Sequence, residues 1–138
     1  MLSPANPVCS KRLSIALIKK SLRAYNTKNG AILLQKLKDA LGDIPAVGDI
    51  RGIGMLVGVE LVSDRESKTP FDPKLGIAGK IAAYCLDKGL MVLSGVTGTS
   101  DGIVGDALQI SPALTMTPEE MDVAIAILRE AIISVTAI

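Results

Sequence analysis

The sequence predicts an α+β fold, a two-layer sandwich in which helices cover a small, mostly antiparallel sheet. Apolar residues follow helical spacing near both ends of the chain and in one central segment, while the segments between them follow strand-like patterns. In addition, 49% of the 138 residues are apolar and the net charge is only +1. Both values are typical of a folded chain, and we expect a single domain over residues 1–138.

Two helices are expected in the first third of the chain. After a turn-prone start with two prolines, apolar residues recur at helical spacing over residues 8–25, with lysines and arginines between them. The segment Asn26-Thr27-Lys28-Asn29-Gly30 is predicted to break that helix. A second helix follows over residues 31–41 and ends at Gly42.

The pattern then changes to that of strands. Residues 46–53 and 55–62 are predicted as two strands joined by a bend at closely spaced glycines. A polar loop with two prolines comes next. A third helix around residues 77–85 is then stopped by Gly89.

The last part of the chain is predicted to hold two strands and a helix. Short strands over residues 90–93 and 107–110 flank a glycine-rich loop at residues 95–105. The final helix begins at a capping box, Thr117-Pro118-Glu119-Glu120, followed by apolar residues on one stripe. The predicted order is therefore α-α-β-β-α-β-β-α.

Composition excludes several classes of function. The chain has no histidine, which excludes the common zinc sites and Ser-His or Cys-His catalysis within it. Its two cysteines, Cys9 and Cys85, indicate neither a disulfide framework nor a metal site. Residues 1–40 carry eight Lys/Arg and one Asp, which we interpret as solvated helix faces. We therefore expect no nucleic-acid partner and, because apolar runs are short, no membrane span and a cytoplasmic setting.

Four features of the sequence are candidates for sites of chemistry. The glycines between Arg51 and Gly58 resemble a phosphate-binding run, but their spacing and the following strand pattern favour a bend in a sheet. The loop at residues 94–102 has hydroxyls and glycines that suit an anion, and also the composition of an ordinary surface loop. The acidic pairs Asp64/Glu66 and Glu119/Glu120 lack an apolar setting. No lysine is placed to form a Schiff base, so we predict no catalytic, cofactor-binding or metal-binding residue here.

Five segments, taken in their order along the chain, resemble segments of a known protein family. They are Ala5-Asn6-Pro7-Val8; G-D-I-R-G-I-G-M at residues 48–55, continuing as G-V-E-L-V at 58–62; K-T-P-F-D-P at 68–73; G-L-M-V at 89–92; and D-A-L-Q-I-S-P-A-L at 106–114 with T-P-E-E-M-D at 117–122. In this order and spacing they resemble the C-terminal portion of class-III (omega-amino-acid) pyridoxal-phosphate aminotransferases. The resemblance covers essentially all 138 residues.

The resemblance implies the C-terminal small domain of a fold-type-I enzyme. Such enzymes are dimers that move an amino group from an amine or amino acid to a keto acid through pyridoxal phosphate. The Schiff-base lysine belongs to the large domain, which we expect to be absent from this chain and to be its partner. The isolated chain is then expected to bind no cofactor and to be inactive. At the family's phosphate-contacting threonine this sequence has Leu2, which leaves that position without a hydroxyl.

One substrate-binding residue follows from the resemblance. Some members of the family place an arginine before the x-x-P-P turn, where it binds a substrate carboxylate. This sequence has Gln109 at that position, and Ala113 replaces the second proline. An amide donates hydrogen bonds but forms no ion pair, so a substrate with an uncharged distal end fits better than a dicarboxylate. The other interpretation is that Gln109 simply ends a strand at the surface.

Two other functions stay open at this point. The chain is alternatively a free-standing α+β module that binds a metabolite or regulates a partner. It is also consistent with a purely structural fragment of a longer protein.

Overall fold

The computed structural model describes the backbone of residues 7–95 and 106–137, and the side chains of residues 23–95 and 106–137. Over these residues the elements are α1 (Pro7–Leu41), β1 (Val47–Ile53), β2 (Leu56–Leu61), a 3-10 helix (Pro73–Leu75), α2 (Ile77–Asp87), β3 (Leu93–Ser94), β4 (Asp106–Ile110) and α3 (Pro118–Thr136). The strands form one antiparallel sheet in the order β1-β2-β4-β3. The predicted α+β fold is thereby confirmed.

One hydrophobic core lies between the sheet and the three helices. Alternate residues of β2, namely Val57, Val59 and Leu61, are buried on the side that faces the helices. The stripe predicted on α3 is confirmed, because its residues are buried at helical spacing from Met121 to Ile132. The buried leucines of α1 that complete the core are Leu33, Leu37 and Leu41.

The helix break predicted at residues 26–30 is wrong. Helix α1 runs from Pro7 to Leu41 without interruption. Asparagine and glycine are poor helix formers, so the continuity of this segment depends on contacts with residues distant in sequence. Asn29 supplies one of them: its side chain is buried, and Nδ2 donates to the carbonyl of Met116 at 3.4 Å.

A second set of contacts joins α1 to the turn of the β1-β2 hairpin. The turn consists of Gly54 and Met55, and Gly54 has a φ of +57°, as a two-residue hairpin requires of its first turn residue. The Met55 N–H donates to Asn26 Oδ1 at 2.8 Å. A Cβ placed on Gly30 would lie 2.3 Å from the carbonyl carbon and oxygen of Gly54. Only glycine therefore permits this approach of helix and turn.

The ends of α2 and α3 follow the predicted capping signals. At α3, the Glu120 N–H donates to Thr117 Oγ1 at 3.3 Å and the Thr117 N–H donates to Glu120 Oε2 at 2.8 Å, which confirms the capping box. At α2, Gly89 adopts a φ of +82° and the Leu90 N–H donates to the Cys85 carbonyl at 2.8 Å. This is a Schellman motif, in which a left-handed glycine ends the helix.

One strand begins later than predicted, and another carries a bulge. The strand expected at residues 90–93 is observed at Leu93–Ser94, because the backbone of Leu90 is occupied in ending α2. Strand β1 carries a bulge at Gly48, where the pairing with β2 shifts between Val47 and Asp49. The predicted turn-prone start and most of the glycine-rich loop lie outside the described residues.

Within the described helices, none is long and apolar enough to cross a membrane.

Candidate functional site

Gln109 lies on β4, where its Cα pairs with Gly58 of β2 on one side and Leu93 of β3 on the other. Its side chain is exposed and belongs to the sheet face that is turned away from the helices, hereafter the open face. The amide Nε2 donates to Ser111 Oγ at 3.1 Å. The carbonyl oxygen and the second N–H of the amide have no protein partner among the described residues. Gln109 can therefore offer one donor and one acceptor to a ligand.

Charged residues lie beside Gln109 on the open face. Arg51 pairs with Gly58 on the opposite side of β2, so a glycine without a side chain separates Arg51 from Gln109. The guanidinium of Arg51 lies 2.7 Å from Asp49 Oδ2 and 3.7 Å from Glu60 Oε2. Two carboxylates thus already offset this cation on the open face, which disfavours a further negative group from a ligand near Arg51.

Four large apolar side chains are also exposed on or beside the open face. Ile53 and Leu56 face each other across the hairpin end, with exposed fractions of 83% and 49%. Met91 and Leu93 lie at the β3 side, with exposed fractions of 78% and 53%. A cluster of this kind is more typical of a surface that packs against other protein than of a solvent-facing sheet.

None of the described lysine side chains suits a Schiff base with pyridoxal phosphate. A reactive lysine needs desolvation to hold its amine neutral, whereas these lysines are exposed, apart from Lys36. Lys36 is half-buried, but its amine is already held by Asp122 Oδ1 at 2.5 Å. The described residues therefore do not fit the covalent attachment of that cofactor.

The glycine run after Arg51 forms the hairpin rather than a phosphate loop. The run ends β1 and passes through the left-handed turn at Gly54 into β2, with no helix following it. Without a helix N-terminus, the backbone N–H groups do not converge on a common point. Of the second suspected loop, at residues 94–102, only Ser94 and Gly95 are described.

The acidic pairs have structural roles. Asp64 accepts from the Ser67 hydroxyl at 2.5 Å and from the Glu66 N–H at 3.1 Å. These hydrogen bonds lower the pKa of Asp64, the opposite of what an acid catalyst at neutral pH requires. Glu120 belongs to the capping box of α3.

The buried thiol of Cys85 is equally unsuited to catalysis. Burial raises the pKa of Cys85, so the thiolate is disfavoured. In the part of the chain that the structure describes, no group of three acidic, cysteine or histidine side chains converges as metal ligands do. The described geometry therefore supports binding and packing at the open face, and no self-contained catalytic centre there.

The sequence predicts Gln109 as a substrate-binding residue, but it does not predict the charged residues that share its face of the sheet. The alternation Asp49-x-Arg51 in β1 and Gly58-x-Glu60 in β2 placed these residues on one face of each strand. This alternation is visible in the sequence. Only the pairing register of the strands shows that Gln109 lies on the same face of the sheet as Asp49, Arg51 and Glu60.

Comparison with known proteins gives a consistent result. No family model matches the chain. An aminotransferase from Gibberella zeae is 39% identical over 77% of this chain and 21% of its own length. The diaminobutyrate–2-oxoglutarate transaminase of Halomonas elongata is 32% identical over 89% of this chain and 25% of its own length. A Bacillus anthracis aminotransferase structure superposes with a TM-score of 0.74 at 34% identity, covering 88% of this chain and 26% of that one.

The chain thus spans about a quarter of the length of the relatives that it matches. The resemblance to aminotransferases seen in the sequence is confirmed, and these relatives favour it over a free-standing module.

Proposed function

We propose that this chain, which is similar to aminotransferases and spans about a quarter of their length, is the C-terminal small domain of a class-III aminotransferase. The whole enzyme would transfer an amino group from an amine or amino acid to a keto acid. The single observation that carries this proposal is the collinear match to transaminases along most of the chain, with the same fold.

The open face supports a domain that works against other protein. Its exposed apolar residues, such as Ile53 and Leu93, would lose contact with water on packing against the remainder of the enzyme. Gln109 and Arg51 lie on the same face and would then border the contact. In this arrangement residues 1–138 act as one domain that covers the active site and excludes water.

The cofactor of the whole enzyme would be pyridoxal phosphate, which supplies the electron sink for amino transfer. Its attachment lysine would lie outside the described residues of this chain. We further propose that the whole enzyme is a cytoplasmic homodimer and that the 138-residue chain alone is inactive. Neither a nucleic acid nor a membrane is proposed as a partner.

Gln109 is proposed to contact the distal end of the substrate. The amide offers one donor and one acceptor, and the only nearby cation of the described open face, Arg51, is already engaged by the carboxylates of Asp49 and Glu60. A substrate with a neutral distal end would therefore be preferred over a dicarboxylate such as 2-oxoglutarate.

A chimera tests the proposal. The matching quarter of the Halomonas elongata transaminase is replaced by this chain, and amino transfer to pyruvate and to 2-oxoglutarate is measured beside the chain alone. We expect activity with a preference for pyruvate in the chimera and none in the chain alone. Gln109→Arg should raise kcat/KM for 2-oxoglutarate at least about tenfold, because a charged hydrogen bond contributes about 1.5–3 kcal/mol.

The matched control for that substitution is Gln109→Lys, which adds a positive charge without the planar guanidinium. It should raise kcat/KM for 2-oxoglutarate less than Gln109→Arg does. A soluble chimera that is no more active than the same enzyme with the quarter deleted would contradict the domain assignment. An active chimera whose substrate preference does not respond to Gln109→Arg would contradict the role of Gln109 alone.

A further inference from the structure

A cavity of about 110 Å³ lies between α1, α3 and the end of the sheet, on the side of the helices. Its lining is almost wholly apolar. The deep part is formed by side chains that belong to the core, among them Leu37, Met121 and Leu128. The lining also includes Met91 and Ser111, which are exposed, so the cavity reaches the surface beside them.

Among the described lining residues none is charged. Ser111 has the only polar side chain among them, and its hydroxyl already accepts from Gln109 Nε2 at 3.1 Å. An ionic ligand would lose its hydration here without compensation, whereas an apolar one would gain from leaving water. An apolar cavity of about 150 Å³ in another protein stays dry and binds benzene, so a volume of 110 Å³ is in the range for one small ring.

We propose that this cavity binds a small uncharged apolar molecule of about the size of benzene. Met91, whose thioether chain is unbranched and 78% exposed, forms the side of the cavity through which the ligand enters. The proposal stands on the packing of α1, α3 and the sheet alone and is independent of the aminotransferase assignment.

The test is benzene binding by the 138-residue chain, measured by calorimetry and by thermal unfolding at rising benzene concentration. We expect saturable binding with one site per chain. At a benzene concentration ten times Kd, the ratio of folded to unfolded chain should rise about elevenfold. Calorimetric heats that do not saturate, or a ratio of folded to unfolded chain that benzene does not raise, would show that the cavity takes no such ligand.

Two variants locate the site. Ala124 lines the cavity, so Ala124→Leu should fill it and reduce benzene affinity at least tenfold while the helix is retained. Ala126 is exposed on the same helix and does not line the cavity, so Ala126→Leu should bind like the wild-type chain. Equal loss in both variants, or unchanged binding in Ala124→Leu, would place the ligand elsewhere and overturn the proposal. Circular dichroism of both variants confirms that each is folded.

Discussion

Replacing Gly30 by alanine should destabilise the chain, although alanine is the better helix former. In a helix interior the substitution alone would contribute about 1 kcal/mol of stability. Here the new methyl group would lie 2.3 Å from the carbonyl carbon and oxygen of Gly54, both of which are backbone atoms that no rotamer change can move. Helix α1 and the hairpin turn would have to separate.

The size of the effect follows from what that separation breaks. Overpacking of this kind costs about 1–3 kcal/mol, and loss of the Met55 N–H to Asn26 hydrogen bond costs about 1 kcal/mol more. Against the helix-propensity gain, we expect a net loss of about 2 kcal/mol. For a chain of this size that corresponds to a fall of about 8 °C in Tm.

Thermal unfolding of Gly30→Ala beside Gly79→Ala checks the reasoning. Gly79 is an exposed glycine within α2, and a Cβ placed there would meet no atom within 4 Å. The same substitution at Gly79 should therefore raise Tm by about 3 °C. Opposite signs at the two positions are expected. A Gly30→Ala chain with an unchanged or higher Tm would refute the close approach of helix and turn.

Two other predictions concern side chains at the surface. Thr117→Ala should reduce the free energy of unfolding by about 1 kcal/mol in urea titration, because the capping box of α3 loses its hydroxyl, and Thr117→Ser should retain most of the stability. For Asp43, the Arg129 guanidinium bound at 2.6 and 2.7 Å lowers the carboxyl pKa. Its contribution to stability is present above the ordinary pKa and is lost as pH falls through the lowered pKa. The difference in Tm between the wild-type chain and Asp43→Asn should therefore narrow from about pH 6 to about pH 2, and a constant difference would contradict the pairing.

Features with a local cause were predictable from the sequence. The capping box at Thr117 and the stop at Gly89 each depend on residues within one or two turns of the helix end. The hairpin was likewise indicated by two strand patterns separated by glycines. The fold class followed, because these signals fixed the order of most elements.

The continuity of α1 was not predictable in this way. Asn26 and Gly30 read locally as breakers, and their partners at the hairpin turn lie more than twenty residues further along the chain. The surroundings of Gln109 pose the same problem, since the position of Arg51 beside it depends on the register of three strands. In both cases the determining contact joins segments that are distant in sequence. Local secondary-structure propensities contain no information about such contacts.

The bulge at Gly48 affects how this chain meets other molecules. Strand β1 forms one outer edge of the described sheet, and an outer edge with free N–H and C=O groups is a template for strands of other chains. The bulge interrupts the regular spacing of those groups, and Asp49 and Arg51 place charges next to it. Such a margin opposes intermolecular strand addition and thus amyloid-like growth from β1. At this edge, contacts with other proteins are therefore expected to form through side chains rather than through backbone strand pairing.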